Sequence, residues 1–241
     1  MPLVAAAICP HPPLLLPSVA SGAATELDDL RKACSSVIDR VFDASPEKII
    51  LVGTGTTINR YAAGDFGSFD AYGVRETYAL GGLDALAVGA RMPESLAIGA
   101  WLLHARPTVP VREAVSVPPD TTAEACRALG AELVATDRIA LIVMGDGTAC
   151  RGEKSPGYAD ARAEPFDAAV SAALTAADAD ALLALDPEAA GELLVAGRAP
   201  WQVLAGAAQA TGADWHGEVL YDQAPYGVAY FAASWWRGGS S

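Results

Sequence analysis

Three short apolar runs that each stop at a loop containing proline or glycine constrain the fold more than any other feature of the sequence. They occupy residues 3–9, 48–52 and 138–144. A continuous apolar run of this length, without polar alternation, is typical of a strand buried on both faces of a sheet. The sequence therefore predicts an α/β fold in which three parallel strands lie in the centre of a sheet.

Helical periodicity separates the first two of these runs. Apolar residues from Leu27 to Val41 recur at spacings of three and four, with charged residues such as Asp28 and Lys32 on the opposite face. A strand, a helix and a second parallel strand imply a right-handed crossover. Further helices are predicted over residues 93–105, from a capping box at Thr121-x-x-Glu124 to about residue 135, after Pro165, from an N-cap at Asp186, and from about Pro200.

The remaining segments fit a single domain. Residues 58–92 are rich in glycine, aspartate and aromatic residues and lack a clear period, so we predict a long surface excursion there. Two extended runs, at 215–221 and 226–236, are predicted to complete a mainly parallel or mixed central sheet flanked by helices. We expect one domain over residues 1–237 and a frayed tail over 238–241.

Composition limits the classes of partner. The chain has 241 residues, of which 52% are hydrophobic, enough for one large core. Its net charge of −13 leaves no basic surface to neutralise phosphates, so nucleic acid and anionic membrane surfaces are not expected partners. No apolar run approaches the roughly 20 residues that span a bilayer. The four cysteines form no C-x-x-C pair, so we expect reduced, buried thiols in a cytoplasmic protein.

The loops that follow the three buried strands are expected to meet. Parallel strands bring their carboxyl ends to one edge of a sheet, where the ligands of open α/β sheets bind. The loops read Cys9-Pro10-His11-Pro12, Gly53-Thr54-Gly55-Thr56 and Gly145-Asp146-Gly147-Thr148. We predict a small-molecule pocket at this edge, with Thr54, Gly145 and Thr148 in its loops and with backbone N–H groups able to cradle an anion.

His11 and Asp146 are the candidate catalytic residues. Prolines on both sides of His11 would hold its backbone rigid, as a metal ligand or an acid-base group requires. A histidine that simply packs at a turn is an equally good interpretation. Asp146 could act as a base or a ligand, although aspartate before glycine is also what an ordinary turn demands.

Two residues near the C-terminus could complete a metal site with His11. His216 and Glu218 alternate along a predicted strand, so both side chains point to one face, and a 2-His-1-carboxylate set is conceivable. Exposed residues of an edge strand would give the same pattern. His104, at the end of an apolar helix, is interpreted as structural, and Cys150 is notable only because it follows the third loop.

The order of these motifs resembles the LigB-like superfamily, which contains the catalytic subunits of class III extradiol ring-cleavage dioxygenases and, more distantly, the Memo-like proteins. The resemblance extends over nearly the whole chain and starts at Ala7-Ile8-Cys9-Pro10-His11-Pro12-Pro13. It continues through the strand ending at Gly53-Thr54, through residues 144–148, through the segment from Ala196-Gly197 to Gly206-Ala207, and through Tyr226-Gly227-Val228-Ala229-Tyr230.

The resemblance implies an iron site from which residues are missing. In active relatives the first Fe(II) ligand is a histidine that His11 matches, and the second belongs to a Pro-His pair whose place reads Gly53-Thr54 here. The acid-base histidine of the family falls on Ala149, which cannot shuttle a proton. The third ligand is a carboxylate near the C-terminus, for which Glu218 is the nearest candidate and Asp222 a second.

Three functions therefore stay open. The first is a divergent extradiol dioxygenase-like enzyme that acts on a small aromatic compound, with Fe(II), another divalent metal or no metal in an incomplete site. The second is a non-catalytic, metal-free relative that binds a small molecule or serves as a scaffold. The third is a metal-free hydrolase or transferase that uses His11 with Cys150 or Asp146. The aromatic residues Tyr230, Phe231, Trp235 and Trp236 could serve a homo-oligomer interface or pack in the core.

Overall fold

A seven-stranded mixed sheet forms the centre of the protein, in the order β3-β6-β2-β7-β1-β9-β8. The computed structural model describes residues 3–238 except for residues 84, 105, 107–110 and 136–137. A separate two-stranded antiparallel sheet consists of β4 and β5. The strands are β1 (Leu3–Cys9), β2 (Lys48–Thr54), β3 (Asn59–Tyr61), β4 (Phe66–Ser68), β5 (Thr77–Ala79), β6 (Val111–Val117), β7 (Ile139–Met144), β8 (Trp215–Gln223) and β9 (Tyr230–Arg237).

The four central strands are parallel, and three of them, β1, β2 and β7, are the apolar runs for which parallel pairing is predicted. β2 pairs with β6 and β7, and β7 pairs with β1, all in parallel register. Every residue of β7 is buried, which explains why its sequence shows no polar alternation. β9 runs antiparallel to β1, and β8 runs antiparallel to β9, so the sheet is mixed at this end.

Helices cover both faces of the sheet, and alternate strand residues face the two layers. Ile50 and Val52 of β2 belong to one core, whereas Ile49 and Leu51 belong to the other. The first core is covered by α4, α5, α6, α7 and α8, and the second by α2 and α3. The helices are α1 (Pro17–Ala20), α2 (Asp28–Asp43), α3 (Glu94–His104), α4 (Ala123–Leu133), α5 (Ala163–Ala176), α6 (Ala179–Leu183), α7 (Pro187–Glu192) and α8 (Arg198–Thr211).

The N-terminal caps of two helices test the predicted starts. Asp186 accepts a hydrogen bond from the backbone N–H of Glu188 at 2.9 Å, and Pro187 is the first residue of α7, as predicted. The start predicted for α4 is one residue too early. Thr122, not Thr121, is the N-cap, because its hydroxyl accepts from the backbone N–H of Ala125 at 3.2 Å.

Two segments differ from their predicted structure. The excursion over 58–92 contains β3, which pairs antiparallel with β6 and becomes an edge of the main sheet. The last strand starts at Tyr230 rather than at 226, because Gly227 has φ +74° in a turn closed by its own N–H to the Ala224 carbonyl. Within 238–241, only residue 238 belongs to the described part of the chain.

The aromatic residues near the C-terminus belong mostly to the core. Tyr230, Phe231 and Trp235 are buried, and only Trp236 is exposed, with 38% of its surface accessible. Of the two predicted roles for these four residues, core packing and a homo-oligomer interface, core packing accounts for the three buried ones. The four cysteines are buried and free. Within the described residues, no helix is both long enough and apolar enough to cross a bilayer.

Candidate functional site

His11 and Asp146 lie side by side just beyond the carboxyl ends of β1 and β7, and Tyr230 is the first residue of the neighbouring strand β9. Cys9 pairs with Met144, so continuing both parallel strands by two residues brings His11 level with Asp146. The antiparallel ladder between β1 and β9 ends at the pair of Ile8 with Ala233, three residues from Tyr230. The backbone N–H of Gly147 donates to the Ala229 carbonyl at 2.8 Å, which joins the β7 loop directly to the start of β9.

The three side chains lie on the same side of the sheet. Cys9, Met144 and Tyr230 all belong to the core covered by α2 and α3. Side chains two residues apart on an extended chain point to the same face, so His11 and Asp146 follow Cys9 and Met144 to that face. The predicted meeting of the β1 and β7 loops is thus confirmed, and β9 adds a third contributor to this edge.

The closest contact in the site joins His11 to Asp146. The backbone N–H of His11 donates to Oδ1 of Asp146 at 2.8 Å, and Nδ1 of its ring lies 3.6 Å from the same oxygen. The side chains are only 10% and 14% exposed. Within the described part of the chain, His11 Nδ1 has no hydrogen-bond partner. The imidazole is therefore held beside a carboxylate while its hydrogen-bonding capacity stays unused.

Asp146 holds a proton more readily than an exposed aspartate does. Burial raises the pKa of the Asp146 carboxyl, because the charged form loses solvation. The charge interaction with His11 and the His11 backbone N–H lower that pKa, while the charge of Glu94 raises it, and the net direction is upward. A buried carboxyl with a raised pKa in contact with an imidazole is a candidate acid-base pair.

Tyr230 is a site residue that the sequence prediction missed. Its side chain is largely buried, but its hydroxyl oxygen is not fully buried and makes no hydrogen bond with any residue that the structure describes. Burial, followed by the charges of Asp146 and Tyr226, holds the pKa of Tyr230 well above its usual range. Its side chain is thus a neutral hydrogen-bond donor. The apolar and aromatic run 226–236 predicts a strand but does not show which loop its first residue approaches. That information lies in the pairing of Ala229 with Gly147 and Thr148.

Residues 193–197, between α7 and α8, form a short strap that holds two of the predicted loops in place. The N–H of Gly197 donates to the carbonyl of Asp146 at 2.8 Å, and the hydroxyl of Thr54 donates to the Ala196 carbonyl at 2.6 Å. Gly145 donates its N–H to the Cys9 carbonyl at 2.9 Å, which ties the β7 loop to β1. Thr54 and Gly145 therefore build the frame of the site, and the Thr54 hydroxyl is engaged with the strap.

Thr148 does not line a pocket. It is fully buried, and its N–H and hydroxyl donate to the two carboxylate oxygens of Asp167 at 2.9 and 2.7 Å. Arg151 donates to the same carboxylate at 3.2 Å. Asp167, on α5, thereby anchors the loop from the side of the other core. The prediction of Thr148 as a pocket residue is wrong, because both of its hydrogen-bond donors are bonded to the buried carboxylate of Asp167.

His216 and Glu218 share one face of β8, as predicted, but they do not approach His11. His216 pairs with Trp236, which is opposite Ala5 near the start of β1, whereas His11 lies beyond the end of that strand. The His216 ring contacts that of Trp236, and Glu218 forms an ion pair with Arg40 of α2. These two residues therefore belong to an edge strand, which was the alternative interpretation of their alternation.

The donor set of this edge does not fit the iron centre that the resemblance implies. Among the described residues, no three His, Cys, Asp or Glu side chains are grouped so that they could hold a metal ion. Thr54, in the place of the second histidine, donates its hydroxyl to the strap. Ala149, in the place of the acid-base histidine, contributes a backbone N–H to the Leu193 carbonyl. His11 and Asp146 are the two ligand-type groups in contact here.

His104 and Cys150 both pack against neighbouring residues away from His11. The His104 ring packs edge-on against Tyr78 with centroids 4.7 Å apart. Cys150 is buried, its thiol contacts the Leu193 carbonyl at 3.6 Å, and burial raises its pKa. A raised pKa disfavours the thiolate, which is the nucleophilic form. The pairing of His11 with Cys150 in a hydrolase is therefore not supported by this environment.

A depression of about 230 Å³ lies beside the first residue of α3. Its polar lining includes Ser68, Tyr72, Arg91 and Glu94, and the Tyr72 hydroxyl donates to the Glu94 carboxylate. Glu94 is also the group whose charge acts on Asp146. The excursion and α3 thus contribute polar and aromatic surface on the same side of the sheet as His11, a contribution that the aperiodic sequence of the excursion did not reveal.

The sequence matches no protein-family model and no curated protein. One solved structure with a similar fold is an uncharacterized protein, JW3007, from Escherichia coli K12. The two chains are 14% identical, the similarity covers 96% of this chain and 99% of the E. coli chain, and the TM-score is 0.53. This chain is therefore similar in fold, over nearly its whole length, to that E. coli protein.

Proposed function

We propose that this protein binds a small phenolic compound at the edge formed by β1, β7 and β9, and that His11 and Asp146 exchange a proton with it. The contact between His11 and Asp146 carries the proposal. A buried imidazole with an unused nitrogen beside a carboxylate of raised pKa is an arrangement in which one group takes up a proton and the other balances the charge.

The proposed chemistry is a proton transfer without a change in oxidation state. The ligand hydroxyl gives its proton to the imidazole of His11, which becomes an imidazolium, and the ligand becomes a phenolate. Asp146, at 3.6 Å from Nδ1, stabilises the imidazolium by charge. The rigid Pro10 and Pro12 limit movement of His11, so the ring does not need to be reoriented at each transfer.

An aromatic ligand agrees with the surroundings and with the family resemblance. Tyr72 lines the polar depression beside Glu94, and the charge of Asp146 acts on Tyr230. Because His11 and Asp146 lack the second histidine and the further carboxylate of the family's iron centre, the proposed chemistry involves no iron. The family resemblance supports only the class of ligand, a phenol.

A non-catalytic binding protein is the second candidate, and Ala149 favours it. The methyl group at this place has no proton to give, and its backbone is committed to Leu193. Such a protein would still bind and ionise a phenol at His11 without releasing a product. The two candidates differ in turnover and agree on the binding site.

The test is binding of 4-nitrophenol, whose visible absorption distinguishes the phenol from the phenolate. Protein treated with a chelator should bind the probe and increase the phenolate fraction at a pH below the pKa of the free probe. His11→Gln should abolish this increase, and Asp146→Asn should weaken it. His216→Gln, at the opposite end of the sheet, is the matched control and should behave as the native protein.

Two results would overturn the proposal. One is a native protein that fails to bind 4-nitrophenol or binds it without ionisation. The other is a near-stoichiometric metal, found by elemental analysis of untreated protein, that is lost in His11→Gln together with probe binding. Screening catechols and other phenols for product formation then separates an enzyme from a binding protein.

A further inference from the structure

We infer that Tyr230 is the residue that selects an oxygen-bearing ligand at this site, by donating its phenolic hydrogen to the ligand oxygen that His11 deprotonates. The inference rests on the proposed function and names a positioning and specificity-determining residue for it. Tyr230 is the first residue of β9, where the strand leaves the loop that pairs with residues 147 and 148.

The backbone geometry brings Tyr230 to His11 and Asp146. The pairing of Ala229 with Gly147 and Thr148 fixes the residue next to Tyr230 against the Asp146 loop, and the charge of Asp146 acts on Tyr230. The pairing of Ala229 is made by the main chain. A ligand oxygen between His11 and Tyr230 would meet a base on one side and a donor on the other.

The hydroxyl of Tyr230 is unused inside a largely buried residue. Its neighbour Tyr226 has its hydroxyl bonded to Glu26 at 2.8 Å, whereas no described residue receives the hydrogen of Tyr230. The hydroxyl oxygen is not fully buried, so water can satisfy it in the empty protein. A phenolate oxygen would replace that water, and a hydrogen bond to a charged acceptor is stronger than one between neutral groups.

The charges around Tyr230 keep it in the donor form. Burial and the nearby Asp146 carboxylate both raise its pKa, so the hydroxyl keeps its hydrogen at neutral and moderately alkaline pH. A Lys or Arg in this position would bring a permanent charge to a largely buried place. Tyrosine supplies a donor to the phenolate while remaining neutral in the empty protein.

The experiment compares Tyr230→Phe with Tyr226→Phe, using 4-nitrophenol and nitrobenzene as probes. Tyr230→Phe keeps the ring and removes a hydroxyl that has no partner among the described residues, so the melting temperature should stay close to that of the native protein. Its affinity for 4-nitrophenol should fall about tenfold, and the pKa of the bound probe should rise. Binding of nitrobenzene, which has no hydroxyl, should not change, and Tyr226→Phe should resemble the native protein with both probes.

Each alternative outcome has a distinct meaning. Equal binding and equal ionisation of 4-nitrophenol in the native protein and Tyr230→Phe would overturn the role of Tyr230 and leave the proposed function standing. Equal loss of affinity for both probes would assign Tyr230 to the shape of the site and also overturn the role. A native protein that does not bind or ionise 4-nitrophenol would overturn both the role and the proposed function.

Discussion

One carboxylate oxygen, Oδ1 of Asp146, is shared by the backbone and the ring of His11. It accepts the His11 N–H at 2.8 Å and lies 3.6 Å from Nδ1. The first contact fixes the loop after β1 to the loop after β7, and the second sets the electrostatic environment of the imidazole. This coupling of the His11 backbone to the surroundings of its ring runs through a single atom.

This coupling predicts how Asp146→Asn changes the pH dependence of stability. The folded-state pKa of Asp146 is raised, so the folded protein binds a proton more readily than the unfolded chain. The cost of burying the ionised form is present in full above the folded pKa and is relieved as the pH falls toward the unfolded value. Urea unfolding at pH 7 and pH 4 should show the native protein gaining stability relative to Asp146→Asn on acidification. A difference that stays constant, or moves the other way, would contradict the raised pKa.

Thr148→Val should destabilise the protein through Asp167. The substitution preserves shape but removes the hydroxyl that donates to Asp167 at 2.7 Å in a buried environment. Loss of one bond to a buried carboxylate is expected to cost about 1–3 kcal/mol of the free energy of unfolding. Ser171→Ala is the control, because its hydroxyl bonds Asp222 at the surface, and chemical denaturation should show a much smaller effect there. Equal effects of the two substitutions would contradict the structural role of Thr148.

Gly145→Ala should destabilise the site by overpacking. A Cβ atom at this position would lie 2.5 Å from the Cα of Gly197 and 2.9 Å from Nε1 of Trp201, so the strap or the buried indole would have to move. We expect a loss of about 1–3 kcal/mol in the free energy of unfolding, together with weaker 4-nitrophenol binding. Gly152→Ala provides the matched control, because no described atom lies within 4 Å of the position that its new methyl group would take. An unchanged Gly145→Ala protein would mean that the strap adapts freely.

The central sheet could be predicted because its information is local. Runs such as 138–144 are apolar at nearly every position, and that pattern has few explanations other than a strand covered on both faces. The same local logic gave the approximate start of α7 at Asp186. It failed by one residue at Thr122 and missed β3, a three-residue edge strand whose pairing with β6 is what defines it.

The site was only partly predictable because its members meet through long-range pairing. His11 and Asp146 follow strands that were recognised, so the sheet rule brought them together. The place of Tyr230 depends on the pairing of Ala229 with Gly147 and Thr148, and the burial of Thr148 depends on Asp167 of α5. The alternation of His216 and Glu218 correctly predicted that both side chains lie on one face. Alternation does not predict the position along the sheet, and there the two residues are far from His11.

Because β8 holds His216 and Glu218 away from His11, these two residues should not contribute to metal binding. If the protein is loaded with Fe(II) or Zn²⁺ and freed of excess metal, His216→Ala and Glu218→Ala should retain as much metal as the native protein, because these residues contact Trp236 and Arg40 at the sheet edge. Glu218→Ala removes an exposed ion pair and should cost less than about 1 kcal/mol of stability. Any metal held through His11 should instead be lost in His11→Ala. Loss of metal in all three variants, at His11, His216 and Glu218, would require the three side chains to converge on one ion. It would contradict the strand register, in which His216 lies level with Ala5 near the start of β1 and not with its end.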